Sequence, residues 1–187
     1  AGPNALPIAV AGGPYVMTEG SSVILNGSAS SDSDGTISEY AWDLDGDGQY
    51  DDDTGVTPSF TTTNSGTYIV GLQVTDNRGD TATTSVTITV SNAAPTASAG
   101  VDQSSVKGGV VSLSAASSTD PGNDIVSYAW DLNGNGQYTD ATGVNTTFTS
   151  AVAGVFIVSV KVTDADGAVS FDSATITITD ASTKFYV

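Results

Sequence analysis

The 187-residue chain contains no cysteine and no histidine, and it has four basic residues against 21 acidic ones, for a net charge of −17. Without thiols or imidazoles there is no disulfide framework, no thiolate nucleophile, no imidazole base and no zinc site of the usual ligands. Four cations neutralise too few phosphates for nucleic acid to be a partner, and an anionic membrane surface is disfavoured. The chemistry that remains is that of hard cations on oxygen ligands, or of carboxylates alone.

The composition predicts an all-β protein. Apolar residues make up 39% of the chain, β-branched residues are frequent, and 21 glycines mark the turns. No apolar run is long enough to span a membrane, so no membrane insertion is expected. Many aspartates and few lysines favour an extracellular or cell-surface location, where divalent cations are plentiful. The sequence begins at Ala1, without an initiator methionine or a signal peptide, and it ends with the apolar segment Lys184–Val187. We therefore expect a part of a longer protein.

The chain is an internal repeat with a period of 88 residues. This shift places Asn4–Pro7 on Asn92–Pro95 without a gap, and Tyr40–Leu44 on Tyr128–Leu132. Self-similarity at a fixed period indicates repeated structural units. Two tandem domains are predicted, residues 1–91 and 92–187.

Each copy shows the period-2 alternation of β-strands. Tyr68, Val70, Leu72 and Val74 lie on one face of a long predicted strand, and nothing shows a helical period. About seven short strands in roughly 88 residues are typical of an immunoglobulin-like β-sandwich. In that fold Trp42 and its counterpart Trp130 are predicted to be core residues.

One segment identifies a family. The sequence WDLDGDG at Trp42–Gly48 resembles the WDFGDG hallmark of PKD (polycystic kidney disease) domains, and Trp130–Gly136 is a second instance. The SDSDG segment at Ser31–Gly35 is similar to the family's loop before this strand. The resemblance implies two immunoglobulin-like PKD domains of a bacterial or archaeal secreted or surface protein. Copy two departs from the pattern where Phe156 replaces Tyr68, which removes a tyrosine-corner hydrogen bond.

The first candidate calcium site is the aspartate turn, residues 43–53 in copy one and 131–141 in copy two. Oxygen ligands at positions 1, 3 and 5 with glycine at position 6 are the pattern of a calcium loop, but Thr54 at position 12 excludes an EF-hand. The alternative is a structural turn in which Asp43 binds backbone amides. The candidate ligands are Asp43, Asp45, Asp47 and Asp52 in copy one, and Asp131, Asn133, Asn135 and Asp140 in copy two.

The second candidate site is assembled by topology. In an immunoglobulin-like sandwich the start of the chain, the B–C loop and the F–G loop share one end, which we call the acidic pole. It holds Asn4, Asp32, Asp34 and Asp76 in copy one, and Asn92, Asp120, Asp124 and Asp164 in copy two. The family resemblance implies calcium here, because some PKD domains of secreted bacterial enzymes bind it at this pole. Carboxylate-rich oxygen sets favour Ca²⁺ over transition metals. Isolated acids such as Asp80, Asp102 and Asp172 are predicted to be solvated turn residues.

These features predict a non-catalytic, calcium-stabilised spacer or adhesive module, with neighbouring domains of its parent protein as partners. Asp43 with Asp52 could form a glycosidase pair, but a small repeated domain without an evident cleft argues against an enzyme. The alternative is a substrate- or carbohydrate-binding accessory module of a secreted hydrolase. Tyr50 and Tyr138 are then the candidates for contact with a glycan or an extracellular protein. Exposed aromatics on one sheet face would favour this alternative.

Overall fold

The computed structural model describes residues 2–181 and divides the chain into two compact units between Asn92 and Ala93. The apolar end at Lys184–Val187 lies outside the described residues. All the helix or strand elements assigned within residues 2–181 are β-strands, and no α-helix is present there. That part therefore offers no helix with the length and apolar character needed to cross a membrane.

The first unit is a two-layered β-structure. Its described strands are β1 (Tyr15–Thr18), β2 (Ser22–Ile24), β3 (Ile37–Asp43), β4 (Ser59–Thr61), β5 (Gly66–Asp76) and β6 (Thr81–Ser91). Four strands form a sheet in the order β1-β6-β5-β3, in which β1 runs parallel to β6 and the other pairs are antiparallel. The antiparallel pair β2-β4 forms the second layer.

The second unit repeats this arrangement. Its described strands are β7 (Gln103–Val106), β8 (Val111–Ser114), β9 (Ile125–Asp131), β10 (Ala141–Thr142), β11 (Asn145–Phe148), β12 (Gly154–Asp164) and β13 (Val169–Thr179). The main sheet has the order β10-β9-β12-β13-β7, with β7 parallel to β13, and β11 pairs with β8. The predicted pair of immunoglobulin-like sandwiches is confirmed.

A tryptophan forms the centre of each core. Trp42 and Trp130 are fully buried, and their indole N–H groups donate to the carbonyls of Gly55 at 2.8 Å and Gly143 at 2.9 Å. The hydrogen bond satisfies the one polar atom of each ring, so the ring is buried without a desolvated donor. The prediction that both tryptophans are core residues is confirmed.

The two cores differ at the predicted tyrosine corner. The Tyr68 hydroxyl donates to the carbonyl of Asn64 at 3.0 Å. Phe156 occupies the same place in copy two and packs against Phe148, with ring centroids 5.2 Å apart. Phe60 and Tyr68 make the equivalent contact in copy one, with ring centroids 5.4 Å apart, so copy two keeps the aromatic contact and lacks the hydrogen bond.

Strand pairing separates the two candidate sites within a domain. At one end of β3, Ile37 pairs with Asp76 of β5, and at the other end Asp43 pairs with Gly71. Five residues of extended strand span roughly 16 Å. The aspartate turn and the acidic pole of one domain are therefore distinct places.

Candidate metal sites

The aspartate turn of copy one is organised by hydrogen bonds to the buried carboxylate of Asp43 and the exposed carboxylate of Asp52. Asp43 Oδ1 accepts from the backbone N–H of Gly46 at 2.7 Å, and its Oδ2 accepts from Gly48 at 2.9 Å. Asp52 Oδ2 accepts from the N–H groups of Leu44 at 2.6 Å and Asp45 at 3.1 Å. Both glycines have positive φ, 78° at Gly46 and 87° at Gly48, which turns their amides inward. The carboxylates thus serve as acceptors for the turn's own backbone.

Copy two forms the same turn with fewer charges. Asp131 Oδ1 accepts from Gly134 N–H at 2.7 Å and Oδ2 from Gly136 N–H at 2.7 Å. Asp140 Oδ2 accepts from Leu132 N–H at 2.8 Å. Asn133 and Asn135 stand where copy one has Asp45 and Asp47. Copy two forms the turn with these two neutral side chains. The charges of Asp45 and Asp47 are therefore not needed to form the turn in copy one.

The short side chains within the turn also bind backbone. Asp45 Oδ1 accepts from Asp47 N–H at 3.0 Å, and Asp47 Oδ1 accepts from Gln49 N–H at 2.7 Å. In copy two Asn133 Oδ1 accepts from Asn135 N–H, and Asn135 Oδ1 accepts from Gln137 N–H. These are side-chain turns that aspartate and asparagine form equally well. The hydrogen bonds favour the structural alternative for this turn.

One difference keeps a cation compatible with copy one. Oxygens of Asp43, Asp45 and Asp52 lie within 4.8 Å of one another. In copy two the Asn133 side-chain amide donates to Asp140 Oδ1 at 2.9 Å, so a neutral donor takes up the corresponding lone pair. Asp45 and Asp52 are exposed, however, so solvent screens their repulsion. The three oxygens of copy one are therefore close enough to share a cation, and their exposure also permits the turn without one.

Burial raises the pKa of Asp131, but hydrogen bonds from the amides of Gly136, Gly134, Asn135 and Asn133 outweigh it and hold the pKa below its ordinary value of 3.8. A lowered pKa in the folded state stabilises the fold above the unfolded-state value, and this stability is lost as the pH falls through the folded-state value. In chelator we expect little loss of unfolding free energy between pH 7 and about 4.5, then a steep fall below about pH 4. Denaturant titrations across this range measure it, and Asp131→Asn should flatten the acid limb. A steady loss from pH 7 to 5 would contradict the prediction.

The acidic pole of copy one brings together the segments that the sequence predicted. The Asn4 side-chain amide donates to Asp76 Oδ2 at 2.7 Å and to Asp80 Oδ2 at 2.8 Å. Arg78 donates to Asn4 Oδ1 at 3.0 Å and forms an ion pair with Asp34 Oδ2 at 2.6 Å. Asn4, Asp34 and Asp76 therefore form one connected network. The prediction that Asp80 is a solvated turn residue is wrong, because this carboxylate faces the Asn4 amide.

Asp76 is the buried centre of this network, with 1% of its surface exposed. Burial raises its pKa, but hydrogen bonds from Arg78 N–H, the Asn4 amide and Asp80 N–H outweigh that effect and lower the pKa below its ordinary value. Asp76 is therefore held as a carboxylate, the protonation state that a cation ligand requires.

Asp32 is different from its neighbours, because both of its carboxylate oxygens are buried and no described residue donates a hydrogen bond to them. Gly35 packs closely against Asp32, and no side chain other than hydrogen would fit there. A Cβ added there would lie 2.4 Å from Asp32 Oδ2 and 2.2 Å from Asn77 Oδ1. Buried polar groups are normally satisfied by hydrogen bonds, so the Asp32 side chain is an exception at this pole.

The acidic pole of copy two shows the same feature. Asp120 Oδ1 accepts from Gly122 N–H at 2.8 Å, whereas its Oδ2 is buried and receives no hydrogen bond from any described residue. The Oδ1 atoms of Asn92 and Asp124 are buried too. Asp164 is 1% exposed and accepts from Ala168 N–H at 2.7 Å. Of the predicted ligand set, Asp120 and Asp124 thus have buried carboxylate oxygens, and Asp164 is buried as a whole.

Sequence reasoning missed two members of the pole, Arg78 and Asp80. The 88-residue register held a signal for the first of them, because Asp166 stands at the position of Arg78 in copy two. This exchange of a cation for an anion was the signal that the sequence offered.

The two candidate tyrosines occupy equivalent places on the outer face of the main sheet. Tyr50 lies over Gly71, where an added Cβ would meet its ring at 2.9 Å. Tyr138 lies beside Phe171, with ring centroids 5.2 Å apart, and Phe171 is 55% exposed. Thr83 takes the place of Phe171 in copy one. The sequence did not single out Phe171, because it alternates in a strand like any other outward residue.

The structure defines a class of molecule: tandem immunoglobulin-like sandwiches, each with an acidic pole and a turn built around an aspartate after the tryptophan strand. The PKD domain family matches residues 4–90 and 92–179. The chain belongs to this family, as its sequence predicted.

Two named relatives each match about half of this chain, the length of one domain. Over 86 residues the chain is 45% identical to the pre-pro-metalloprotease PrtV of Vibrio cholerae, which covers 45% of this chain and 9% of that protein. The matched residues thus span less than a tenth of the relative's length. The solved PKD1 domain of Vibrio anguillarum Epp is 39% identical, with 47% of this chain and 96% of that chain covered and a TM-score of 0.39. The insect immune protein hemolin shares the fold alone, at 15% identity, 96% and 48% coverage and a TM-score of 0.56.

Proposed function

We propose that this chain is a calcium-stabilised, non-catalytic spacer or adhesive module of a larger extracellular or cell-surface protein. The observation that carries the proposal is the set of buried acidic oxygens without hydrogen-bond donors at the acidic poles, on Asp32 in copy one and Asp120 in copy two. PKD domains are typically accessory modules rather than catalytic ones, and the absence of cysteine and histidine leaves few catalytic groups. Neighbouring domains of the parent protein are the first partners we expect.

The side-chain types at the pole, carboxylates and an amide, suit a calcium ion. Calcium takes six to eight oxygen ligands, and it accepts carboxylates, amide carbonyls and water in flexible geometry. A bound ion would neutralise carboxylates that are costly to bury unpaired. Asn4, Asp32 and Asp76 would hold it in copy one, and Asn92, Asp120, Asp124 and Asp164 would hold it in copy two. In both copies these ligands tie the start of the domain to the two loops at its pole, which stabilises the folded form.

Thermal unfolding in chelator and in excess calcium tests the proposal. A ligand that binds only the folded form at a hundred times its Kd adds about 2.7 kcal/mol. For a domain of this size that raises Tm by roughly 10 to 20 °C. Magnesium is the matched control, because it demands stricter octahedral geometry and should stabilise less. Identical melting temperatures in chelator and in calcium would refute calcium stabilisation.

A second candidate function rests on the Tyr138–Phe171 pair. The pair of an exposed Phe171 and a half-buried Tyr138 lies beside Ser159 and Ser173, and it offers a ring face and hydroxyls that suit the apolar face and the hydroxyl edge of a sugar. This pair favours a carbohydrate-binding accessory module, with copy two as the binding domain. A pull-down on insoluble polysaccharides, with and without calcium, should retain the wild-type chain and lose Phe171→Ala. The matched control is Thr83→Ala at the equivalent position of copy one, and equal retention of wild type and Phe171→Ala would contradict this function.

A further inference from the structure

We propose that Asn133 and Asn135 in the aspartate turn of copy two are latent deamidation sites, which the folded turn keeps closed by holding the next backbone amides on Asp131. Gly134 and Gly136 follow the two asparagines, and both asparagine side chains are exposed. A following glycine, which has no Cβ, leaves its backbone nitrogen open to the asparagine side chain. The reaction requires neither a metal nor a partner, so it is separate from the proposed function.

Water is the only co-reactant of this modification. The backbone nitrogen of the glycine loses its proton and attacks Cγ of the asparagine before it. The new N–Cγ bond closes a cyclic imide, the Cγ–Nδ2 bond breaks, and Nδ2 takes up that proton and leaves as ammonia. Water then opens the imide at one of its carbonyls. Opening at Cγ gives aspartate, and opening at the main-chain carbonyl gives isoaspartate, whose main chain runs through Cβ and Cγ.

Asp131 holds both attacking nitrogens in the folded turn. The N–H of Gly134 donates to Asp131 Oδ1 and the N–H of Gly136 donates to Asp131 Oδ2, each at 2.7 Å. The carboxylate opposes loss of the amide proton, because a second anion would form beside it. It is also a poor base for that proton, since burial raises the pKa of Asp131 but backbone hydrogen bonds outweigh burial and hold it below its ordinary value.

The asparagine side chains are held as well. Asn133 Oδ1 accepts from the N–H of Asn135 at 3.0 Å, and Asn135 Oδ1 accepts from the N–H of Gln137 at 2.7 Å. Asn133 Nδ2 also donates to Asp140 Oδ1 at 2.9 Å. These bonds restrict the rotation that brings Cγ onto the next backbone nitrogen. Deamidation therefore requires the turn to open, and the fraction of open turns sets its rate in the folded chain.

Copy one shows what the two products would do to the turn. Asp45 and Asp47 stand at the equivalent positions, and the turn has the same form, with φ of 78° and 87° at its glycines against 71° and 78° in copy two. Hydrolysis to aspartate therefore leaves a turn that folds. Isoaspartate lengthens the main chain by a carbon atom inside a turn whose amides must reach one carboxylate. We expect this product to destabilise the second domain.

Peptide mapping of the full chain by mass spectrometry tests the inference, after incubation at mildly alkaline pH in buffer and in guanidinium chloride. We expect both sites to deamidate in the unfolded chain and to do so at least about tenfold more slowly in the folded chain, because hydrogen bonds to a charged acceptor keep the turn closed. Hydrogen exchange at Gly136 N–H measures the fraction of open turns, and the ratio of the folded to the unfolded rate should equal that fraction. Equal rates in the folded and unfolded chain, or a folded rate far above the open fraction, would overturn the inference.

Two variants separate Asp131 from the turn as a whole. Asp131→Asn and Asp140→Asn each remove one charge, but only the first removes the charged acceptor of Gly136 N–H. Asp131→Asn should raise the rate at Asn135 by about tenfold, and Asp140→Asn should raise it by less than about twofold. An unchanged rate in Asp131→Asn, or an equal rise in both variants, would overturn the role of Asp131. If hydrogen exchange shows that Asp131→Asn has unfolded the second domain, the comparison of rate and open fraction in the wild type decides.

A third Asn-Gly pair, Asn26–Gly27, is the internal control. Its glycine N–H donates to the carbonyl of Val56 at 2.8 Å and not to a carboxylate, so its rate should change in neither variant. The double variant Asn133→Asp, Asn135→Asp represents the aspartate product and should melt within about 5 °C of the wild type. The isoaspartate fraction of the aged chain should melt lower than this variant. Equal melting temperatures would contradict the expected effect of the longer main chain.

Discussion

Replacing Asp131 with alanine is expected to destabilise the second domain by at least about 3 kcal/mol, in chelator and in calcium alike. The Asp131 carboxylate accepts hydrogen bonds from the backbone N–H groups of Asn133, Gly134, Asn135 and Gly136. A donor left buried without a partner costs about 1 to 3 kcal/mol, and several donors lose their acceptor at once. Urea unfolding followed by tryptophan fluorescence measures the loss. Asp43→Ala should destabilise the first domain in the same way.

The control for this prediction is Asn135→Ala. Its side chain accepts one hydrogen bond, from Gln137 N–H at 2.7 Å, and it is exposed, so its loss should cost no more than about 1 kcal/mol. If the Asp131→Ala loss appeared only in calcium, the turn would be a metal site rather than an acceptor for its own amides. A loss as small as that of Asn135→Ala would show that water satisfies the amides.

Much of the fold was predictable because its signals are periodic or repeated. The 88-residue register identified two equivalent domains, and the alternation around Val70 and Leu72 placed a long strand whose inward residues are buried. Both tryptophans could be assigned to the core, because each lies in an alternating strand and both are fully buried. The acidic pole was predictable for a topological reason. Once the fold is an immunoglobulin-like sandwich, Asn4, Asp34 and Asp76 must come from loops that meet.

The hydrogen-bond partners of the individual aspartate oxygens could not be predicted from the sequence in this way. Asp43 and Asp32 are both aspartates in acidic loops, yet the first accepts two backbone N–H groups and the second accepts none from the described residues. The difference depends on backbone dihedrals, such as the positive φ at Gly46 and Gly48, that direct amides toward or away from a carboxylate. Arg78 could not be placed for a similar reason, since a long side chain reaches partners far from it in sequence. Composition therefore predicted the ligand type, and geometry decides which acids are left for a metal.

This distinction predicts that a single substitution changes the sign of its effect with calcium. In chelator, Asp120→Asn should make the second domain more stable by about 1 to 3 kcal/mol, because a buried carboxylate oxygen without a donor is replaced by a neutral amide among acceptors. In calcium the same variant should be less stable than wild type, because it loses a ligand contribution of about 2.7 kcal/mol at a hundred times Kd. Melting curves of both proteins under both conditions measure the crossover.

Asp32→Asn should show the same crossover in the first domain, since both oxygens of Asp32 are buried. The matched control is Asp51→Asn, which removes one negative charge from an exposed residue outside the acidic pole and should shift stability by less than about 0.5 kcal/mol in either condition. If Asp120→Asn and Asp32→Asn destabilised the protein in chelator, their carboxylates would be structural acceptors like Asp131, and the acidic pole would need no metal. If both variants stabilised the protein equally in chelator and in calcium, the buried carboxylates would be destabilising in both conditions and would bind no calcium. Only the reversal of sign identifies the carboxylates as ligands, because neither a lost hydrogen bond nor a relieved repulsion depends on calcium.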